Sequence, residues 1–86
     1  MFRVVLHRRA VRYYKRLEEK VRQQLRVRLE SLARDPLGAP GVKPMAGEWK
    51  GYHRLRHGDL RLIFSVDPES RTVVIAHLGP RGDIYK

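Results

Sequence analysis

The sequence lacks cysteine, has no long apolar run and carries few acidic residues. Without Cys, neither a disulfide framework nor a thiolate metal site can form. The longest uninterrupted apolar segments are Val4–Leu6 and Val73–Ala76, far short of the roughly 20 residues that a membrane helix needs. At the start of the chain an apolar stretch precedes basic residues, the reverse of a secretory signal. We therefore expect an intracellular, cytoplasmic protein with no membrane partner.

Size and charge narrow the class further. At 86 residues the chain has room for one small core, so we expect a single domain over residues 1–86. Lys and Arg total 19 against 9 acidic residues, giving a net charge of +10, and Arg outnumbers Lys 14 to 5. Because Arg makes bidentate phosphate contacts, this charge favours a nucleic acid or another polyanion as partner. The alternative is an Arg-rich solvated surface that binds nothing.

The N-terminal half has the pattern of a strand followed by helix. Phe2–His7 alternates as a strand does. An apolar stripe at helical spacing follows, formed by Ala10, Tyr14, Leu17, Val21, Leu25, Leu29 and Leu32. A continuous helix from Arg8 to Arg34 would be about 40 Å long, whereas a domain of this size is about 30 Å across. We therefore predict a break near Leu17–Lys20 and an antiparallel two-helix hairpin, ended by Asp35-Pro36.

The C-terminal half has the pattern of a sheet. After a loop rich in Pro and Gly, three strand-like runs follow: Trp49–Arg56, Leu60–Val66 and Thr72–Leu78. The predicted fold class is α+β, with an N-terminal strand, the two-helix hairpin, and then a three-stranded antiparallel meander that carries the helices on one face.

A two-residue turn at Gly58-Asp59 predicts which residues share a face of the meander. It pairs Arg56 with Arg61 and Arg54 with Ile63. The core face then holds Leu55, Leu60, Leu62 and Phe64, and the other face holds Tyr52, Arg54, Arg56 and Arg61. We expect these arginines to form a solvated patch that binds an anion, although a plain solvent-facing side of the sheet has the same pattern.

Histidines and carboxylates offer little further chemistry. None of the four histidines has metal-ligand spacing, and His77 continues the strand alternation of Val73 and Ile75. The acidic residues lie on helix surfaces or in separate turns, so we expect no metal site, no cofactor and no metal-dependent hydrolysis.

Two segments together resemble a known family. The string Gly51–Phe64, followed by Leu78–Tyr85, resembles the RelE/ParE toxin superfamily, and more closely its RelE branch. The superfamily's order of strand, helical hairpin and antiparallel meander matches the whole chain. The resemblance implies the toxin of a type II toxin–antitoxin pair, which in the RelE branch is a ribosome-dependent endoribonuclease, or mRNA interferase, acting in the ribosomal A site. The implied partners are an antitoxin, ribosomal RNA and mRNA, with a toxin that is monomeric alone and hetero-oligomeric with its antitoxin.

The resemblance also implies residue roles. It assigns catalysis to Arg54, Arg61, Arg81 and Tyr85, with Tyr85 either a general base or a group that stacks on a nucleobase. We interpret Tyr52, Arg56 and His53 as RNA-binding, and His53 and His57 as reserve candidates for acid or base. Tyr52 stands where some members carry Lys. Cleavage by an RNA 2′-hydroxyl needs positioning, proton removal and charge neutralisation, and these groups can supply all three.

Two other functions remain open on the sequence. A ParE-like inhibitor of DNA gyrase would share the fold without cleaving RNA. A homologue that binds RNA but has lost catalysis would keep the basic residues. The arginines of the helices have two possible roles. They could dock the protein on ribosomal RNA through phosphate contacts, or they could serve only solubility.

Overall fold

In the computed structural model, which describes residues 1–80, the N-terminal half folds as strand β1 (Arg3–Leu6) and helices α1 (Arg8–Arg16) and α2 (Glu19–Arg34). The predicted helix break is confirmed at Leu17–Glu18. The break agrees with the size argument, because a continuous helix of about 40 Å would exceed the longest dimension of the molecule, which is 33 Å. In residues 1–80, neither helix combines the length and apolar character needed to cross a membrane.

Side-chain hydrogen bonds hold the helix break in place of glycine or proline. Leu17 and Glu18 take extended backbone conformations, with ψ of 152° and 149°. The Arg22 guanidinium donates to the carbonyl oxygens of Leu17 at 2.6 Å and Lys15 at 3.3 Å. The Tyr14 hydroxyl donates to the carbonyl of Arg22 at 3.0 Å. The backbone carbonyls at the end of α1 that lack a helical partner thus accept hydrogen bonds from a cationic side chain. The helix dipole also favours a positive charge at this C-terminal end.

The C-terminal half forms the rest of a five-stranded mixed sheet. Its strands are β2 (Lys43–Pro44), β3 (His53–His57), β4 (Leu60–Asp67) and β5 (Thr72–Pro80), and the spatial order is β1-β5-β4-β3-β2. The predicted meander β3-β4-β5 is confirmed. Three features were not predicted. Strand β1 pairs with β5 in parallel, and the very short β2, which lies in the segment expected to be loop, pairs with β3. The strand predicted over Trp49–Arg56 begins only at His53, because Gly47–Trp49 forms a short 3-10 helix.

The hydrophobic core lies between the helices and one face of the sheet. The helices contribute the fully buried Ala10, Leu25 and Leu32, and the sheet contributes Leu55, Leu62, Phe64, Val73 and Ile75. The other members of the predicted helical stripe pack partly buried against this cluster, as do Phe2, Val4 and Leu6 of the N-terminal strand region. The predicted apolar faces of the helices and of β1 are therefore confirmed.

The turn between β4 and β5 closes the end of the sheet opposite the Gly58 hairpin. Hydrogen bonds from the Ser70 hydroxyl and backbone N–H, and from the Glu69 N–H, hold the pKa of the Asp67 carboxyl below its ordinary value. Arg71 adopts a left-handed φ of 52° and places its guanidinium 4.8 Å from the centre of the Phe2 ring. Arg71 therefore has a local structural role, far along the strands from the hairpin.

We predict that Arg22→Met destabilises the protein by about 1–2 kcal/mol, because it removes a charged donor from two helix-terminal carbonyls while keeping the alkyl stem. Urea denaturation monitored by circular dichroism measures the change. Arg26→Met is the matched control, since Arg26 is exposed on the same helix. Equal effects of the two substitutions would show that the Arg22 hydrogen bonds do not stabilise the break.

Candidate nucleic-acid interface

The β3–β4 hairpin sets which side chains face away from the helices. Gly58 has a φ of +58°, as the first central position of a type II′ turn requires. The observed register pairs His57 with Leu60, Arg56 with Arg61, and Arg54 with Ile63. The predicted turn, register and division of faces are therefore confirmed for this hairpin.

Basic side chains from four strands share the face that turns away from the helices. We call this set the basic face: Lys43, Arg54, Arg56, Arg61 and His77. Across the sheet, one row runs Lys43, Arg54, Ile63, His77, and the next runs Arg56, Arg61, Gly79. Side chains in register on neighbouring strands lie about 5 Å apart at Cβ, so these cationic groups are near neighbours.

Exposure on the basic face falls toward its centre. Lys43 and Arg56 are exposed and Arg54 is half-buried, whereas Arg61 is only 5% exposed. Beside Arg61, Ile63 is fully buried although it lies outside the core cluster under the helices. Arg61 is therefore not the solvent-facing side chain that a plain outer face of the sheet would carry. Lys43 and Arg56, by contrast, extend into solvent.

His77 belongs to the basic face because of a β-bulge in β5. The register shifts between Ile63 and Phe64, so that Phe64 pairs with Ile75 but Ile63 pairs with His77. The extra residue, Ala76, reverses the alternation, and the prediction that His77 continues the face of Ile75 is wrong. The sequence did contain a signal, because the next core residue after Ile75 is Leu78, three positions later rather than two.

Gly79 makes room beside His77 and opposite Arg61. A Cβ atom at position 79 would lie 2.9 Å from His77 Nε2, closer than real Cβ contacts come. His77 as a whole is only partly buried, but its Nε2 atom is buried beside Gly79. The lack of a side chain at Gly79 therefore lets the imidazole lie along β5 in the direction of the Arg56–Arg61 row.

His53 and His57 lie on the opposite face of the sheet. His57 accepts from Arg28 Nη1 at 3.4 Å, since Arg can only donate, and its Nε2 lies 3.2 Å from Gln24 Oε1. These two contacts fasten the hairpin to α2. His53 stacks on Phe64 with ring centres 5.8 Å apart. The structure thus separates both histidines from the arginines with which the RNA-binding and acid–base hypotheses had grouped them.

His53 also lines an apolar cleft of about 350 Å³ with Phe2, Pro36, Leu37, Val66 and Pro68. Its Nδ1 is buried and has no hydrogen-bond partner within residues 1–80. This cleft is on the helix side of the sheet, at the end remote from the Gly58 hairpin, so it forms no part of the basic face.

Of three further predicted site residues, the structure describes only Tyr52. Tyr52 lies just before β3 and packs edge-on against Trp49, with ring centres 5.2 Å apart. It is thereby held at the margin of the sheet next to Arg54. Arg81 and Tyr85 lie outside the described residues.

The helical arginines divide into two groups. Arg22 and Arg28 are partly buried and donate to backbone carbonyls, Arg28 to Pro40 at 3.1 Å, so they are structural. Most others are exposed, and at the start of α1 an open polar cleft of about 470 Å³ is lined by His7, Arg8, Arg9 and Arg12. The first turn of α1 itself contains no acidic residue to offset the positive end of the helix dipole. This end of α1 is therefore a second basic surface, distinct from the basic face.

Histidines and carboxylates do not gather into a metal-ligand set anywhere in residues 1–80. The chemistry that the described part of the chain can offer is therefore cationic: guanidinium and ammonium groups for phosphate oxygens, and one imidazole among them.

The fold is similar to that of chains in toxin–antitoxin complexes. The fold of this chain matches a chain in the crystal structure of the toxin–antitoxin complex RelBE2 from Mycobacterium tuberculosis, with a TM-score of 0.80 and 28% identity over 93% of this chain and 98% of that one. The archaeal RelE–RelB complex from Pyrococcus horikoshii OT3 gives a TM-score of 0.81 and 26% identity, covering 95% of this chain and 97% of the other.

The sequence match identifies the family. Residues 4–85 match the family described as the ParE toxin of the type II toxin–antitoxin system parDE, so the chain belongs to this toxin family within the RelE/ParE superfamily. Over 55 residues it is 40% identical to Toxin RelG of Mycobacterium tuberculosis. That match covers 64% of this chain and 61% of RelG, less than two thirds of the relative. The resemblance seen in the sequence is confirmed.

We predict that Arg54→Gln weakens binding to a single-stranded RNA and lowers the slope of log affinity against log salt by about 0.7, because one phosphate contact is lost. Fluorescence anisotropy with an RNA carrying 2′-O-methyl groups measures binding without cleavage. Arg71→Gln is the charge-matched control at the other end of the sheet and should leave the slope unchanged. Equal slopes for the two variants would contradict a role of the basic face in phosphate binding.

Proposed function

We propose that this toxin is a ribosome-dependent endoribonuclease that cleaves mRNA in the ribosomal A site through attack of an RNA 2′-hydroxyl on the adjacent phosphate. The observation that carries the proposal is the pairing of Arg56 with Arg61, beside Arg54, on the face free of helices. A cluster of like charges on adjacent strands is unfavourable by itself, and an RNA phosphate would relieve the repulsion. The resemblance to the RelE branch supports RNA as the polyanion.

The reaction needs no nucleophile from the protein. The 2′-oxygen attacks phosphorus in line with the leaving 5′-oxygen, and negative charge grows on the phosphate oxygens. Arg61, which is buried, and Arg81 are assigned to that charge, because preorganised cations stabilise a transition state without reorganising. Arg54 is assigned to phosphate binding or proton transfer, and Arg56 and Tyr52 to holding the RNA at the rim. Tyr85 is assigned to proton removal or to stacking on a base.

Basic surfaces away from the site support docking on the ribosome. The exposed cleft at the start of α1 carries three arginines within five residues. Such a surface can contact ribosomal RNA phosphates without reading sequence. The requirement for ribosomes would then have a physical cause, since docking on ribosomal RNA would align mRNA in the A site with the basic face.

The proposed regulatory partner is an antitoxin. Two of the similar structures are toxin–antitoxin complexes, RelBE2 and the archaeal RelE–RelB. A partner for this chain would need acidic side chains to neutralise a net charge of +10. We propose a toxin that is monomeric alone and forms a hetero-oligomer with that antitoxin in the cytoplasm.

A ParE-like action on DNA gyrase is the second candidate, and the description of the matching family favours keeping it. The two functions differ in what the basic face is for. Cleavage requires Arg54 and Arg61 at the reacting phosphate, whereas gyrase inhibition does not depend on a phosphate-cleaving cluster. A DNA supercoiling assay beside the cleavage assay distinguishes them.

Primer extension on mRNA in a purified translation system tests the proposal. We expect cuts at A-site codons that require ribosomes and are absent on naked mRNA. Arg54→Ala, Arg61→Gln and Arg81→Ala should each slow cleavage by about 10²–10³-fold, as loss of a charge-stabilising group does. Arg71→Gln should cleave at the wild-type rate. No cuts by folded wild-type protein, together with inhibition of supercoiling, would replace the proposal by the gyrase function.

Tyr85→Phe separates the two roles assigned to the C-terminal tyrosine. It removes the phenol proton site but keeps the ring, so a general base predicts a loss of about 10² or more in the cleavage rate. Stacking alone predicts a rate near that of wild type. The same primer extension assay, run as a single-turnover time course, measures the difference.

A further inference from the structure

We propose that Trp49, with Tyr52 beside it, forms an RNA-binding site that stacks on an unpaired nucleobase at the margin of the basic face. We call this pair of side chains the aromatic corner. The proposal rests on the proposed function, because it names the part of the RNA, a base rather than a phosphate, that is held next to Arg54. It comes from the position of the two rings outside the core.

Trp49 is the only tryptophan of the chain, and it does not help to build the core. Within residues 1–80, the core cluster and the side chains packed against it include Phe2, Tyr13 and Tyr14 but neither Trp49 nor Tyr52. Both members of the aromatic corner are partly exposed. A large aromatic side chain that a small domain leaves outside its core is typical of a residue that contacts another molecule.

The backbone holds the aromatic corner in place against β3. The Tyr52 N–H donates to the Trp49 carbonyl at 2.9 Å, and the Met45 N–H donates to the Tyr52 carbonyl at 3.0 Å. Gly51, between the two rings in the chain, has a φ of +95°, a conformation that favours glycine. The rings meet edge to face with their centres 5.2 Å apart. Because the pair is formed without a ligand, stacking on it would require little ordering of these side chains.

Strand alternation directs Tyr52 to the basic face. His53 is on the helix side, where it stacks on Phe64, so its neighbours Tyr52 and Arg54 project from the opposite side of the sheet. Tyr52 and Arg54 are two residues apart, which is roughly 7 Å along a strand. Lys43 lies across from Arg54 on β2. A phosphate bound by Arg54 and Lys43 would therefore bring a nearby base of the same RNA strand to the aromatic corner.

The charges near the aromatic corner favour RNA as its partner. Lys43 and Lys50 are exposed and Arg54 is half-buried, whereas Glu48 is the one carboxylate in the segment that leads to Trp49 from β2. Proteins bind single-stranded nucleic acid with this combination, in which cations follow the phosphates and aromatic rings stack on the bases. An edge-to-face pair also leaves at least one face of each ring uncovered by its partner. A single RNA strand would use both the cations and the rings.

The fluorescence of Trp49 tests the proposal in the full-length protein, because no other tryptophan contributes to the signal. The probe is a single-stranded RNA with 2′-O-methyl groups, which cannot undergo attack by its own 2′-hydroxyl. We expect this RNA to quench the emission of Trp49, since stacking brings a base onto the indole. An abasic strand of equal length has the same phosphates and should bind without quenching. Absence of quenching by the RNA, or equal quenching by both strands, would overturn the proposal.

Substitutions separate stacking from charge in an anisotropy titration with labelled RNA. Trp49→Leu removes the aromatic face but keeps an apolar side chain, so it should lower the affinity by about 10-fold. It should leave the slope of log affinity against log salt unchanged, whereas Arg54→Gln lowers that slope. Trp49→Phe keeps a ring and should retain most of the affinity. Leu37→Ala is the matched control, because Leu37 is 57% exposed on the helix side, and it should bind as wild type does.

Thermal melts of the variants separate binding from folding. Both Trp49 variants should melt near the wild-type temperature, because Trp49 lies outside the core cluster. Wild-type affinity in Trp49→Leu would overturn the proposal and assign the aromatic corner to local packing or to a protein contact. An equal loss of affinity in Trp49→Leu and Trp49→Phe would also overturn it, because a ring would then not be the feature that binds RNA.

Primer extension on ribosome-bound mRNA distinguishes this proposal from the proposed function. Base-dependent quenching of Trp49 by RNA, in a wild-type protein that makes no ribosome-dependent cuts, would support the aromatic corner and refute the nuclease. Ribosome-dependent cuts together with unchanged Trp49 emission would overturn the aromatic corner as an RNA site and leave the nuclease in place.

Discussion

The Gly58 hairpin is the constraint on which the basic face depends. Side chains alternate along a strand, so a slip of one residue in the β3–β4 register would turn Arg54, Arg56 and Arg61 toward the helices and Leu55 and Leu62 toward solvent. The left-handed conformation at Gly58 closes the turn in two residues and permits one register. The buried leucines and Phe64 then oppose any other pairing. One glycine and one core thus determine where the cationic groups lie.

The face opposite the core combines neighbouring cations with an interruption of the sheet. Neighbouring arginines repel each other, Arg61 is buried, and the bulge interrupts the β4–β5 ladder beside them. The core offsets these features, since seven of its large side chains within residues 1–80 are fully buried. This division is common in proteins whose binding site is less stable than their scaffold.

The arginines of this chain have several different structural roles. Arg22 and Arg28 donate to carbonyl groups and replace the backbone hydrogen bonds that the helix break and the loop leave open. Arg71 packs on Phe2 at the far turn. The arginines of β3 and β4 form the basic face, and those at the start of α1 form a separate exposed cluster. Net charge alone predicts a polyanion partner, but it does not show which arginines are available to bind one.

Much of the fold follows from local pattern in the sequence. The helical stripe, the helix break, the turn at Gly58 and the faces of β3 and β4 depend on periodicity, chain length and turn chemistry, all of which act over a few residues. The segment Gly51–Phe64, which carries part of the family resemblance, contains this turn and the alternating residues of β3 and β4. Tertiary structure decided the rest, because long-range pairing and packing have no short-range code. It joined β1 to β5, made a strand of Lys43–Pro44, buried Arg61, and turned His77 to the basic face through a bulge.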